Sequence, residues 1–281
     1  MTVTEARKLG ASVLASGQGP QDRGLADATL LLMHALQCTR AEVLAHPERA
    51  LLAEEEQHYR RLLTERASGR PIQYITGQQE FWGLPFFVTP DVLVPRPETE
   101  HLVEAAIGRL QAHSAPRIVD VGTGSGAIAV ALAYALPQAQ ITATDISAAA
   151  LAIAQQNAAQ NKVAARIRWM QGDLLADLLN EKFDAVVSNP PYVAEAERPT
   201  LASEVRDHEP PTALFAGPTG LEIYERLIPQ ANRVLDPRGW LLLEIGHAQQ
   251  PAIETLLAGW QQVAFINDLQ GIARVACAQR P

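Results

Sequence analysis

The residues best suited to chemistry are Asn189-Pro190-Pro191-Tyr192, which follow directly on the apolar run Phe183 to Val187. A run of that length and composition reads as a buried strand. Strands of an open parallel sheet end at its carboxyl edge, where ligands bind. Two prolines fix φ and remove two amide donors, so the loop is stiff and rich in free carbonyls. The Asn189 side-chain oxygen and the Pro190 carbonyl can each accept one N–H of a substrate NH2 group. Tyr192 offers a flat face to pack on a planar amide or base. An amide nitrogen is a poor nucleophile, because its lone pair is delocalised into the carbonyl. Two fixed acceptors would hold both hydrogens, aim the lone-pair face at an electrophile and favour positive charge developing on nitrogen.

Upstream, Val119-Asp120-Val121-Gly122-Thr123-Gly124-Ser125-Gly126 is a strand running into a glycine-rich turn and then a helix. Glycines let the backbone turn tightly and let a ligand approach the main chain. The amides that open the helix are expected to face that ligand. Asp145 ends the next strand-like run, about twenty residues past the loop, where an acid can accept both hydroxyls of a ribose. NAD enzymes share this layout, so it does not by itself choose the cofactor. No Gly-Lys-Ser/Thr follows, so the loop is not a phosphate-binding P-loop. Asp173, after the third strand, suits a place near an adenine ring; it suits equally an N-cap for a helix from Leu174 onward. Combined with the Asn189 loop, the glycine loop suggests methyl transfer from S-adenosylmethionine to an amide or amino nitrogen.

Elements that would position these loops alternate from Glu98 onward. Strand patterns fall at 117–121, 140–144, 166–171, 183–187 and 240–245, with two more near 263–266 and 272–276. Helix patterns fall at 127–136, 148–160, 221–234 and 252–257. That alternation predicts a doubly wound, mainly parallel sheet with helices on both faces. Before it, residues up to about Gly69 show helical periodicity. Leu9, Val13 and Leu14 share one face, Leu25 to Leu36 forms a second apolar segment, and Thr39 with Glu42 has capping-box spacing. Glu54 to Arg66 reads as a charged helix with Leu62 and Leu63 inward. Its Glu54-Glu55-Glu56 run suits a solvated first turn facing the helix dipole. Between these regions Phe81-Trp82 and Phe86-Phe87-Val88 read as a hairpin, with Gly83 to Pro85 near the turn.

The chain has 281 residues, of which 47% are hydrophobic. That length exceeds the usual single core. The expectation is a helical domain over 1–77 and a linker hairpin plus α/β domain over 78–281. The formal charge of −8 argues against stable sequence-independent binding to nucleic acid, which depends on Lys and Arg neutralising phosphates. Two cysteines, Cys38 and Cys277, cannot build a disulfide framework, and the seven histidines lack ligand spacing, so no metal is expected. Residues 1–10 lack the apolar region of a signal peptide, and no apolar stretch has the length to span a bilayer. A soluble cytoplasmic protein, without a membrane partner and of unspecified oligomeric state, is expected.

Over nearly its whole length the chain resembles the HemK/PrmC release-factor glutamine methyltransferases. The resemblance rests on Gly69 to Gly77, Phe81-Trp82-Gly83-Leu84, Val94-Pro95-Arg96-Pro97-Glu98-Thr99-Glu100, the Gly122 to Gly126 loop and Asn189 to Tyr192. It continues through Glu209-Pro210, Ala213-Leu214, Gly217 to Tyr224 and Gly271 to Arg274. The Pro-Arg-Pro-Glu-Thr-Glu segment is far more specific than Asn-Pro-Pro-Tyr, which amino-adenine methyltransferases share. The resemblance implies a Rossmann-like class I methyltransferase domain behind a small all-α substrate-recognition domain. It implies methylation of the glutamine in the Gly-Gly-Gln motif of class I peptide-chain release factors, with S-adenosylmethionine as cofactor. Gly122, Thr123, Gly124, Ser125, Gly126, Asp145, Asp173, Leu174 and Asn189 would contact the cofactor. Asn189, Pro190, Pro191 and Tyr192 would hold the glutamine, and Asn189, Pro190 and Tyr192 would carry catalysis. Some relatives have Trp where Leu174 stands; here an apolar contact to adenine would survive without aromatic stacking.

The nearest rival is an adenine-N6 methyltransferase on DNA or RNA, using the same loop on a flipped base. The acidic balance and the lack of a basic, aromatic-interleaved target domain count against it. An NAD-dependent oxidoreductase gives the Asn189 loop no role. A non-catalytic interaction protein would be expected to lose Asp145 or Asn189, and both are present.

Overall fold

Five helices lead the chain in the computed structural model, which describes residues 1–17 and 23–281. They are α1 (Val3–Ala15), α2 (Gly24–Leu36), α3 (Arg40–Ala45), α4 (Ala53–Ala67) and α5 (Ile72–Thr76). Then come β1 (Gln78–Phe81), β2 (Leu84–Phe87) and α6 (Glu100–Leu110). The α/β succession runs β3 (Arg117–Val121), α7 (Ala127–Ala135), β4 (Gln140–Asp145), α8 (Ala148–Gln160), β5 (Ile167–Gln171) and β6 (Phe183–Ser188). The short β7 (Val193–Ala194), α9 (Ser203–His208), α10 (Pro211–Leu214) and β8 (Phe215–Gly217) follow. The chain ends with α11 (Glu222–Val234), β9 (Leu235–Glu244), α12 (Gln250–Leu256), β10 (Gln261–Asn267) and β11 (Ala273–Gln279).

The backbone forms two compact units, Met1–Gln78 with Leu201–His208, and Gln79–Thr200 with Glu209–Pro281. In the first, α1 buries Val3, Ala6, Gly10 and Leu14, a stripe at three- and four-residue spacing. Leu9 and Val13, expected on that stripe, are only partly buried. A Cβ at Gly10 would lie 2.1 Å from the Tyr59 hydroxyl and 2.7 Å from the Ala28 Cβ. Glycine is therefore what lets α1 approach α2 and α4. Thr2 with Glu5 and Thr39 with Glu42 both close capping boxes. Leu25 and Leu30 of the second apolar segment face solvent, because α2 carries more leucines than one buried stripe can hold. Leu62 and Leu63 point inward beside the fully buried Tyr59. Arg66 is 3% exposed. It donates to Asp27 at 2.8 Å, to Glu204 at 2.9 Å and to the Arg70 carbonyl at 2.9 Å. Its pairing with Glu204 fixes 201–208 to the helical unit.

In the second unit a seven-stranded sheet has the order β10-β11-β9-β6-β3-β4-β5. β9, β6, β3, β4 and β5 pair in parallel, while β11 pairs antiparallel with both β9 and β10. Side chains alternate across it, as strand geometry requires. Ile118, Ile141, Ala185, Leu242 and Cys277 pack with α6 and α7 on one face. Val119, Val121, Val186, Leu243 and Ala278 pack with α11 and α12 on the other. The hairpin β1–β2 turns at Trp82-Gly83, both with positive φ. Pro85 lies inside β2 rather than in the turn, since a two-residue turn with both φ positive suits the twist of a hairpin. Among the described residues no helix is long and apolar enough to cross a membrane.

Candidate active site

Parallel pairing brings the ends of β6, β3, β4 and β5 to one edge of the sheet. There the glycine loop leaves β3, Asp145 closes β4, Asp173 and Leu174 follow β5, and Asn189 follows β6. The Ser188 hydroxyl donates to the Val121 carbonyl at 2.7 Å, tying β6 to the start of the glycine loop. The Thr144 hydroxyl donates to the Leu174 carbonyl at 3.2 Å, tying β4 to the segment after β5.

The glycine loop forms a cradle. Gly122 and Gly124 have φ of +71° and +55°, and a Cβ built on either meets nothing within 4 Å. Positive φ explains the glycines, and the open space beside them admits a ligand against the main chain. Gly126, at φ +81°, does a different job: its Cβ would sit 3.0 Å from that of Ala154, so it allows close approach to α8. Four of the loop's amides are committed within the fold. Gly122 and Thr123 N–H both donate to the Thr144 carbonyl at 2.9 Å, and Gly126 N–H donates to Thr123 at 2.8 Å. Gly124 N–H donates to Asp145 Oδ2 at 2.8 Å, and Ala129 N–H to Asp120 Oδ2 at 3.1 Å.

Asp145 Oδ1 accepts from Ser147 N–H at 2.9 Å. Both carboxylate oxygens are thus fixed by the backbone and retain lone pairs for a diol. Burial raises its pKa, opposed by backbone hydrogen bonds from Ser147, Gly124 and Ile146. Asp173 does not cap a helix from Leu174: a single 3-10 turn, Ala176–Leu178, follows. Leu174 adopts φ +55°, which interrupts any helix there. The Asp173 carboxylate pairs with Arg226 on the surface.

At the other end of the edge Asn189 is partly buried and Pro190 buried. Asn189 Nδ2 donates to the Thr99 hydroxyl at 3.1 Å. The donor side of the carboxamide is thereby turned inward, leaving Oδ1 as an acceptor for another group. Tyr192 is wedged from three sides. Its carbonyl accepts from Gln249 Nε2 at 2.9 Å. A Cβ at Gly220 would meet that carbonyl at 2.6 Å, and one at Gly246 would meet Tyr192 Cδ2 at 3.0 Å. Past the loop, β7 pairs with β8 and anchors its exit.

Several residues of this site escape sequence reasoning. Asp120, fully buried, accepts from the Thr123 hydroxyl at 2.6 Å, while its Oδ1 has no hydrogen-bond partner. Burial pushes its pKa up to about 7. Glu244 closes β9 beside β6, since Ser188 pairs with Leu243. It is 3% exposed, and burial pushes its pKa up to about 7 against the Thr99 hydroxyl, Arg274 and the Tyr192 hydroxyl. Asn157, also fully buried, brackets the Phe87 backbone at 2.7 and 2.9 Å and donates to the Ser125 carbonyl at 2.8 Å. It clamps β2 to the glycine loop. The common signal of Asp120 and Glu244 is a polar side chain inside an otherwise buried run, such as Leu241-Leu242-Leu243-Glu244-Ile245.

The specific segment at 94–100 is structural cement for the site. Arg96 donates to both carboxylate oxygens of Glu209 at 2.7 and 2.6 Å. Thr99 receives Asn189, and Glu100 Oε1 accepts from Trp82 N–H at 2.8 Å.

Comparison with known proteins agrees with this architecture. Residues 5–77 match the PrmC N-terminal domain model, and residues 100–206 match the methyltransferase small domain. A release factor glutamine methyltransferase of Moorella thermoacetica is 46% identical over 283 residues, covering 100% of this chain and 99% of its own. That of Koribacter versatilis is 42% identical over 255 residues, covering 90% of each. Among solved structures, the hMettl16 catalytic domain in complex with a MAT2A 3′UTR hairpin superposes with TM-score 0.58 at 18% identity, over 82% of this chain and 84% of that one. A T. thermophilus 16S rRNA methyltransferase in complex with AdoMet and guanosine gives 0.54 at 18% identity, over 73% and 50%. At such identities these two structures share the fold alone.

Proposed function

The chain belongs to the release factor glutamine methyltransferase family, and we propose that the loops at 122–126 and 189–192 are where it performs that reaction. The enzyme transfers a methyl group from S-adenosylmethionine to the side-chain amide nitrogen of a release-factor glutamine. When bound, S-adenosylmethionine supplies an electrophilic methyl group on a sulfonium.

The remaining work falls to the protein. Gly122 to Gly126 accommodate the nucleoside against the main chain, Asp145 accepts from its ribose, and Asp173 and Leu174 lie toward its base. Asn189 Oδ1 and the Pro190 carbonyl accept the two hydrogens of the glutamine NH2, and Tyr192 with Pro191 packs on the amide plane. Held so, the nitrogen presents its lone-pair face, and the two acceptors favour the charge that develops as it is methylated. The nitrogen, cationic after transfer, loses a proton to solvent.

The observation that carries this reading is the Asn189 carboxamide, whose Nδ2 is spent on Thr99 and whose Oδ1 is left to accept. The substrate is the Gly-Gly-Gln glutamine of class I release factors, the compartment is the cytoplasm, and the helical unit recognises the protein partner. Incubating purified class I release factor with the enzyme and S-adenosylmethionine should place one methyl group on that glutamine by mass spectrometry. Methylation of duplex DNA or adenine instead would move the function to the adenine-N6 rival.

A further inference from the structure

A cavity of about 650 Å³ lies at the amino ends of β3, β4 and β5, across the sheet from the edge that carries the glycine and Asn189 loops. Arg117, Arg166 and Arg168 line it, and Glu181 is the one carboxylate among its lining residues. Strand register gathers the polar groups. Arg117 pairs with Gln140, and Thr142 pairs with both Val119 and Arg168. Register partners in a parallel sheet share a face, so Arg117, Gln140, Thr142 and Arg168 stand on the face that carries Val119. Further along, α11 and α12 bury that face. The crossover from β5 to β6 holds only the 3-10 turn Ala176–Leu178, so no crossover helix covers this corner.

The three guanidinium groups are unevenly spent. Arg168 donates to Glu181 at 2.7 Å and to the Thr142 hydroxyl at 3.3 Å. Arg166 donates through Nη1 to the Ala133 and Leu136 carbonyls at the end of α7. The Arg117 guanidinium makes no hydrogen bond among the described residues. It lies 3.9 Å from Glu181 and over the Phe183 ring, 5.4 Å from its centre. Asp184, the next acid along, accepts instead from the Arg117 main-chain N–H at 2.7 Å. The whole fork of Arg117 and Nη1 of Arg168, both half-exposed, therefore remain as donors beside the cavity. Three cations facing one carboxylate repel one another, and they do so in a chain whose formal charge is −8. Nothing in the packing of β3 asks for a cation at its first residue.

We propose that this cavity is a second ligand site, which takes a polyphosphate group, either free or as the tail of a nucleotide. A guanidinium presents a flat fork of donors that matches two oxygens of one phosphate. Forks from β3, from the turn before β5 and from β5 itself match a row of phosphates better than a single carboxylate. The volume falls within the range of small-molecule sites, about 300–1,000 Å³. Glu181 holds Arg168 in place and competes with the incoming anion. The site is independent of the methyl-transfer reading: Asp145 and Leu174 follow the far ends of the strands whose near ends line this cavity.

The test titrates the full chain by calorimetry with sodium tripolyphosphate and with ATP, each free of divalent metal. Saturating S-adenosylhomocysteine keeps adenosine out of the cofactor cradle. Both probes should bind with a dissociation constant below about 1 mM at low salt and weaken as sodium chloride is added. Equal affinities would place recognition on the phosphates alone, and tighter ATP would add a contact to the nucleoside; either supports the site. Arg117→Gln and Arg168→Gln should each weaken binding on the order of 10-fold. Glu181→Gln should tighten it on the order of 3- to 10-fold, since the competing carboxylate is gone. Arg117→Gln should keep or raise Tm, and methylation of release factor should stay within about 2-fold of wild type. Absence of binding and of any Tm shift with either probe up to about 10 mM would overturn the proposal. So would wild-type affinity in both arginine variants, weaker binding in Glu181→Gln, or losses of binding that only track losses of Tm. ATP that binds solely without S-adenosylhomocysteine, beside a silent tripolyphosphate, would sit in the cofactor cradle and overturn it as well.

Discussion

Replacing Asp120 by asparagine should change the stability of the α/β unit in a strongly pH-dependent way. Asp120 is fully buried under the glycine loop, and burial raises its pKa from 3.8 to about 7. The hydrogen bonds from Thr123 and Ala129 pull the other way, and the nearby Asp145 adds to the rise. A raised folded-state pKa contributes stability that is whole below 3.8 and is lost as pH climbs through about 7. Asparagine has no such dependence. One tenfold change in proton affinity is worth about 1.36 kcal/mol. Between pH 5 and pH 8 the Asp120→Asn variant should therefore gain about 3 kcal/mol relative to wild type, as an upper figure. A second effect opposes this one but does not vary with pH. The new carboxamide oxygen can take over the acceptances at 2.6 and 3.1 Å, but the new NH2 then stands where Asp120 Oδ1 has no partner. An unsatisfied buried donor costs about 1–3 kcal/mol. The variant is expected to be the weaker protein at pH 5 and to match or overtake wild type by pH 8. Urea unfolding followed by tryptophan fluorescence suits the question, because Trp82, Trp169, Trp240 and Trp260 all lie in the α/β unit. A stability difference that stays flat from pH 5 to 8, or drifts in favour of wild type, would refute the reasoning.

Asp145→Ala should weaken S-adenosylmethionine binding by about 1–3 kcal/mol, since ribose hydroxyls lose an ionised acceptor and Gly124 N–H loses its partner. Equal affinities by calorimetry would remove Asp145 from the site. Asn189→Ala should lower kcat far more than Tm, because the lost acceptor works mainly in the transition state; near-normal turnover would defeat the proposed mechanism. Arg66→Ala should cost the helical unit about 3–5 kcal/mol by stranding the Asp27 and Glu204 carboxylates. Hydrogen exchange should then quicken in α1, α2, α4 and 201–208 while tryptophan unfolding of the α/β unit stays unchanged; unaltered protection at 201–208 would show that the ion pair does not hold that segment.

The sheet is legible in the sequence because each strand in it is a short apolar run ended by a turn signal, from Ile118 to Val121 through Leu241 to Leu243. Such runs are the mark of strands buried on both faces. The glycine loop and the Asn189 loop are legible for a related reason: their chemistry is local, carried by adjacent residues whose backbone limits are written in Gly and Pro. What stays hidden depends on partners distant in sequence. Asn157 looks like one more polar residue on an alanine-rich helix until its partners Phe87 and Ser125, 70 and 32 residues away, are in place. Arg66 reads as the end of a charged helix until Glu204 arrives 138 residues later. The turn at Trp82-Gly83 is masked because Pro85 is the louder local signal.

Asp120 and Glu244 show a different limit. Each interrupts an apolar strand, and local preference alone would replace both by Val or Leu. Both are fully or almost fully buried, each leaves one carboxylate oxygen without a partner, and burial lifts each to about 7. Stability does not account for them, since the fold would do better without a buried charge at either place. Their positions do: Asp120 receives the Thr123 hydroxyl beneath the cofactor cradle, and Glu244 ends the strand beside the one that delivers Asn189. At Asp120 the carboxylate, when ionised, sets the direction of a hydroxyl that belongs to the loop of the cofactor cradle. A neutral carboxamide at the same place could serve as donor or acceptor, and the loop above it would lose its single polarity. At Asp120 the sheet thus gives up stability to fix the direction of a hydrogen bond beneath its carboxyl edge.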